Sequence, residues 1–253
     1  MDKSLRIGFF VTCLVNTMRP NVALASIKLL EKEGCEVFVP EAQTCCGQPA
    51  FNNGDNATTR DIALQLLDTF DNCDYLVAPS GSCLGMIKKH YPELFKDDPS
   101  NLKKAQALSD KSYEILTFLN EILNIKIDQE FNASVTYHDS CSGLRELGIK
   151  KQPRELLSQV KGLDLIEMEY TEVCCGFGGT FCVKFPDIST SLVTDKVENI
   201  SNTKADVLLS GDLGCLMNIA GRCQRMGKKV RCYHTVEVLA GMASLPAIGE
   251  GIK

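Results

Sequence analysis

The sequence predicts an α/β protein of two tandem domains, each a small parallel sheet flanked by helices. Three observations carry that expectation. Apolar strand-like runs alternate with amphipathic helix-like segments along the 253 residues. Several of the strand-like runs end in a cysteine. The order of runs, helices and cysteines in the first half recurs in the second, which marks a duplicated unit.

In the first half, "LRIGFFVTC" is an apolar run ending in Cys13. "PNVALASIKLLEKEG" follows as a helix, with Pro20 near its start, Ala23, Ile27 and Leu30 on one face, and Gly34 as its stop. "CEVFVP" is a second strand leading to Cys45 and Cys46. After a loop with Gly54, the residues Ile62, Leu66 and Phe70 line another amphipathic helix. "DYLVAPSGSC" is a third strand running into Cys83.

The second half repeats the scheme. "ASVTYHDSC" is a strand ending in Cys141, and "QPRELLSQVKG" is a helix with proline near its beginning and Gly162 at its end. "LDLIEMEYTEVCC" is a strand into Cys174 and Cys175, Val193, Val197 and Ile200 mark a helical face, and "ADVLLSGDLGC" is a strand into Cys215. The tails correspond too, "YEILTFLN" at 113 against "YHTVEVLA" at 233. Cys13 to Cys45 is 32 positions and Cys141 to Cys174 is 33. Cys46 to Cys83 is 37 and Cys175 to Cys215 is 40, so the cysteines recur at matched distances.

Separations of this size suit strand-helix-strand crossovers. Right-handed crossovers place the carboxyl ends of parallel strands on one edge, where open α/β sheets hold their sites. The expectation is therefore two Rossmann-like domains, residues 1–125 and 126–253, related by a pseudo-twofold. Cys13, Cys45, Cys46 and Cys83 should converge at one metal or cofactor site. Cys141, Cys174, Cys175 and Cys215 should converge at another. Cys35, Cys73, Cys182, Cys223 and Cys232 face non-cysteine residues in the other half and read as bystanders. Cys182, seven residues after Cys175, is the one placed to reach the second site. His138 stands at a strand end near that site, where a structural role outweighs a hydrogen bond to the centre.

Composition narrows the chemistry. The net charge is −5 with no basic stripe, which argues against nucleic acid. The longest apolar stretch, "IGFFVTCLV", is too short to span a bilayer. No small-residue cleavage site follows it, so it reads as a buried strand in a cytoplasmic protein. Thirteen cysteines beside three histidines point to thiolate metal ligands or redox groups, because cytosolic disulfides are rare. Zinc held by four thiolates is one candidate occupant. The chain lacks the C-x₂-C knuckles typical of zinc, whereas adjacent cysteines drawn from three loops suit an iron–sulfur cluster. Gly47, Gly81, Gly176, Gly178 and Gly179 allow backbone N–H groups to approach an anionic cluster. "GFGG" follows a cysteine pair rather than a strand, so it is no dinucleotide fingerprint.

The motifs "PSGSC", "HDSCSGLRELG" and "CCGFGGTF" resemble the cysteine-rich CCG-domain family. That family includes the B subunit of heterodisulfide reductase and the iron–sulfur subunit of glycolate oxidase. Its pattern is a cysteine, a CCG some thirty to forty residues on, and a C-x-x-C at a similar distance, usually present twice. The resemblance covers nearly the whole chain and is nearest to the lactate utilization branch. It implies an iron–sulfur subunit of a system oxidising L-lactate to pyruvate, working with companion proteins B and C on a small 2-hydroxy acid. The implied cofactor is a [4Fe–4S] cluster in each half, with zinc as the rival occupant. One departure stands out: Ser80 and Asp212 occupy the first position of the two C-x-x-C motifs. The reductase subunit holds a split cluster with five cysteines, one more than each half supplies to its site here. Four cysteines per site suffice for an ordinary cluster, and a hydroxyl or carboxylate in the vacant slot could equally be a weak iron ligand.

Overall fold

The computed structural model describes residues 4–250. The chain divides into two compact units, Met1–Asn124 and Ile125–Lys253. The outer ends of the two expected domains, residues 1–3 and 251–253, lie outside the described residues.

Each unit contains one four-stranded sheet. The first comprises β1 (Arg6–Phe9), β2 (Glu36–Phe38), β3 (Tyr75–Ala78) and β4 (Ser112–Glu114), in the order β2-β1-β3-β4. The second comprises β5 (Glu130–Tyr137), β6 (Lys161–Leu165), β7 (Val207–Ser210) and β8 (Arg231–His234), in the order β6-β5-β7-β8. Every pairing is parallel. The α/β class and the duplication are thus as the sequence predicts. In each unit the chain steps out from its first strand to an edge strand, then crosses back to the far side. That reversal opens a crevice at the carboxyl ends of the two central strands, where such sheets place their sites.

The central strands are largely apolar toward their carboxyl ends because helices cover both faces of a parallel sheet. Ile7, Phe9, Leu76, Val77, Ala78, Val207, Leu208 and Leu209 are all buried. The helix Pro20–Lys32 buries Val22, Ala25, Leu29 and Leu30, and Asn56–Thr69 buries Ala63, Leu66 and Leu67. Pro186–Asn202 buries Val193, Val197 and Ile200, the face read from the sequence. Ile27 and Ile62, assigned to core faces, are only half-buried.

Two differences from the sequence reading affect the site. The run toward Cys174 and Cys175 stops being a strand at Leu165. β6 is an edge strand whose last rung pairs Leu165 with Val135, so the cysteine pair sits on a long loop beyond it. β2 likewise ends at Phe38, well short of Cys45. Between β3 and β4 the first unit also packs several helical segments, from Gly81–Gly85 through Pro99–Asp110, where the second has the single helix Leu213–Arg225.

Gly8 in β1 shows how tight the first sheet is. A Cβ there would come 2.7 Å from the Phe70 ring and 3.2 Å from Cys73 Sγ. Gly8→Ala is expected to cost about 1–3 kcal/mol through overpacking, measurable as a lowered urea midpoint of the first unit.

Candidate metal centres

The first centre is assembled from three loops at the carboxyl edge of its sheet. After β1 the Phe10 N–H donates to the Val77 carbonyl (2.9 Å), continuing the strand ladder for one more bond. Thr12 then takes φ 71° and ψ 149°, a region open to glycine and costly for a β-branched residue. Gln43 helps to hold this turn, accepting from the Val11 N–H (2.8 Å) and donating to the Pro40 carbonyl (3.0 Å). One side chain therefore ties the loop of Cys13 to the loop of Cys45 and Cys46. Cys13 opens the short helix Cys13–Met18, and its thiol donates to Cys45 Sγ at 3.8 Å.

The other sulfurs extend this row through thiol hydrogen bonds, Cys45 with Cys46 and Cys46 with Cys83. Thiol donation from Cys13, then from Cys46, holds Cys45 well below the ordinary thiol range, the thiolate form a metal requires. Cys46 is pushed up by its bonds to Cys45 and Cys83 and by burial. The buried Tyr91 hydroxyl donates to the Cys46 carbonyl (2.9 Å) and fixes the pair. Cys13 is exposed, and beside it and Cys45 lies a cavity of about 380 Å³ lined also by Asn16, Thr17, Glu41 and Gln43. A larger cavity, about 790 Å³, includes Lys228 and Arg231 at the amino end of β8, away from the sulfur edge.

The second centre repeats the row. Cys141 opens the helix Cys141–Leu147, and Cys174 is hydrogen-bonded to Cys141 and Cys175, which is hydrogen-bonded to Cys215. Cys174 is lowered by its thiol donors, Cys141 foremost, and its sulfur also accepts from the Gly176 N–H (3.3 Å). Asn218 donates to the Cys175 carbonyl (2.8 Å), the counterpart of Tyr91. Lys196, fully buried, donates to the Tyr170 and Thr171 carbonyls (2.7 and 3.2 Å) and pins the long loop. Asp139, just before the Ser140-Cys141 turn, is taken up by both terminal nitrogens of Arg154, each at 2.9 Å.

All eight cysteines named from the sequence therefore fall into two groups of four. The bystanders are engaged elsewhere. The Cys73 thiol donates to the Phe70 carbonyl (3.1 Å) beneath Gly8, and Cys223 and Cys232 hydrogen-bond to each other in the second core. Cys35 is buried just before β2. Cys182 turns to the Gly179 carbonyl (3.4 Å). The vacant C-x-x-C slots have a local structural use: Ser80 accepts from the Cys83 N–H (3.3 Å) and Asp212 from the Gly214 N–H (3.2 Å), capping the helices that present Cys83 and Cys215.

His138 was underweighted by sequence reasoning. It is fully buried, and neither ring nitrogen has a hydrogen-bond partner. The Thr171 carbonyl lies near enough to favour protonation slightly without reaching full hydrogen-bond geometry. An orphaned buried polar group costs about 1–3 kcal/mol and calls for a reason. Burial, then the charge of Lys196, pushes its pKa from 6.5 to about 3. Between those values the unfolded chain binds a proton that the native ring does not, so native stability falls on acidification. In metal-free protein this should cost the second unit about 3 kcal/mol at pH 4. A urea series from pH 7 to 4 checks it, with His138→Phe flattening the pH dependence.

Four thiols from three loops fit a thiolate-bound metal or iron–sulfur centre. Among the described residues no helix is long and apolar enough to cross a membrane. The family described as "CCG: Cysteine-rich domain" matches residues 7–88 and 135–220, once in each unit. The chain is 45% identical to "Lactate utilization protein A" of Oceanobacillus iheyensis over 236 residues, covering 93% of this chain and 96% of that protein. It is 46% identical over the same share of its length to the protein of that name from Halalkalibacterium halodurans, again covering 96% of the relative. A solved structure, "Crystal structure of a hypothetical protein from Helicobacter pylori", superposes with a TM-score of 0.65 at 12% identity. It covers 99% of this chain, which spans half the length of the Helicobacter protein, and the likeness is one of fold alone. A cysteine-rich match in each half, together with these full-length relatives, places the chain in the CCG cysteine-rich domain family as a homologue of Lactate utilization protein A.

Proposed function

We propose that the chain is an iron–sulfur subunit of an L-lactate-oxidising system, with Cys13, Cys45, Cys46 and Cys83 holding one centre and Cys141, Cys174, Cys175 and Cys215 the other. The two cysteine-rich domains are assigned to residues 1–125 and 126–253. The observation that carries this reading is the duplicated row of four thiols at the carboxyl edge of each sheet, in a homologue of Lactate utilization protein A. When bound, an iron–sulfur cluster supplies one-electron redox chemistry. The chain's own part is to present thiolates, with Cys45 and Cys174 already held toward that form. Gly47 and Gly176 turn the backbone sharply after each pair, at φ 81° and 79°. Tyr91 and Asn218 hold the paired cysteines in place. Oxidising lactate to pyruvate releases two electrons and two protons, which the assembly with companion proteins B and C passes to an acceptor.

The test is lactate-dependent dye reduction by the chain combined anaerobically with proteins B and C. Reduction that requires this chain is the expected result. Reduction with glycolate and not lactate would redirect the reading to a glycolate-oxidase-like subunit, and reduction of a disulfide substrate to a disulfide-reductase-like one. A second reading, a zinc-stabilised interaction protein, has one observation in its favour. The 3.8 Å between Cys13 and Cys45 sulfurs matches the edge of a tetrahedron built from metal–thiolate bonds of about 2.3 Å.

A further inference from the structure

We infer that His138 is a donor of the second metal centre, meeting it beside Cys175 and Cys215, so that this centre is mixed nitrogen–sulfur while the first is all-thiolate. The inference rests on the reading that these cysteines hold a metal centre, and adds a ligand to it.

A ring nitrogen of His138 and the sulfurs of Cys175 and Cys215 all lie within 4.8 Å of one another, and all three residues are buried. Neither ring nitrogen has a hydrogen-bond partner of full geometry, the Thr171 carbonyl beside the ring falling short of it. An imidazole nitrogen within 4.8 Å of two buried thiol sulfurs is a metal ligand in type and placement.

The backbone leaves the ring little freedom to be elsewhere. The His138 N–H donates to the Leu209 carbonyl (2.9 Å), and its carbonyl accepts from the Ser210 hydroxyl (2.9 Å). These contacts fix it at the crevice between β5 and β7. Comparison with the first unit isolates the side chain. Phe10 stands three residues before Cys13, as His138 stands three before Cys141, and its N–H makes the same bond to β3, at Val77. Phe10 is buried edge-on against Phe70, with ring centroids 5.9 Å apart. One backbone position thus carries a hydrophobic ring in one unit and an imidazole facing sulfur in the other. A merely structural histidine would use a ring nitrogen in a hydrogen bond. His234 does so, accepting from the Val236 N–H through Nδ1 (3.4 Å). Asp212, the other candidate for an extra ligand, caps its helix through the Gly214 N–H.

The test uses full-length protein grown with ¹⁵N-histidine, purified anaerobically, reconstituted with ferrous iron and sulfide, and reduced. Pulsed electron paramagnetic resonance should show a directly bonded histidine nitrogen. The chain has three histidines, and only His138 belongs to a potential metal-ligand group among the described residues. His138→Phe, which copies the first unit, should abolish that coupling and lower iron at the second centre. His138→Cys should restore the iron without the coupling. The wild-type spectrum decides even if a variant folds poorly. Cluster signals with thiolate ligation alone would overturn this inference and leave the proposed function standing. Failure of the protein to bind iron and sulfide at all would overturn both.

Discussion

Cys46→Ser is expected to remove the iron of the first centre, about half of the chain's total, while the protein stays folded. Cys46 lies in the middle of its sulfur row, hydrogen-bonded to Cys45 on one side and Cys83 on the other. A serine hydroxyl in that buried place is a poor donor to a soft metal. The sheet should survive, because Ile7, Phe9, Leu76 and Val77 form a core that needs no metal. Cys175→Ser should do the same to the second centre, for Cys175 links Cys174 to Cys215. Lactate-dependent dye reduction should fall to background in both variants, because a relay with a missing centre has no comparable bypass. A structural-zinc protein would behave differently, since each loss would remove folding free energy directly. Iron analysis and thermal melts on the same two variants therefore separate the two classes.

The second large effect is at Gly176. Its φ of 79° already disfavours a side chain, and a Cβ would stand 2.6 Å from the Ser189 carbonyl oxygen. That oxygen is backbone of the helix Pro186–Asn202 and cannot swing aside. Gly176→Ala is expected to cost about 3–4 kcal/mol, combining left-handed strain with overpacking. It should also displace Cys175, whose carbonyl is held by Asn218. Gly47 offers an internal comparison. Its φ is 81°, but the nearest atoms to a Cβ are methyls of Ile62 and Thr59 at 3.5 Å, an ordinary contact. Gly47→Ala should cost only about 1 kcal/mol. Equal losses of urea midpoint in the two variants would contradict this account of the loops.

The fold was legible because its signals were local and repeated. The runs "IGFF" and "LVA" are buried on both faces and read as unbroken apolar stretches. Gly34 follows the end of the helix Pro20–Lys32, whereas Gly162, read as a helix stop, lies inside β6. Position within the duplication, rather than cysteine count, sets Cys83 apart from Cys73, and in the structure Cys83 lies with Cys46 while the Cys73 thiol donates to the Phe70 carbonyl. What the sequence hid depends on long-range contacts. The strand toward Cys174 was overextended because its end is set by the last rung with Val135, which no local pattern encodes. The tie from Gln43 to Val11 joins loops that meet only after the sheet has formed. Ser80 and Asp212 stood out as missing ligands, whereas their helix-capping role needs the backbone geometry to be seen. His138 looked ordinary as a lone histidine at a strand end. Only its orphaned nitrogens and its pairing with Phe10 set it apart.

The central claim is that each row of four thiols holds an iron–sulfur cluster. Iron, acid-labile sulfide and zinc, measured together on protein purified without oxygen, test it most directly. The account predicts iron and sulfide in near-equal amounts, about four of each per centre, with zinc negligible. Zinc at about two per chain with no sulfide would contradict it and leave the chain a metal-stabilised interaction protein.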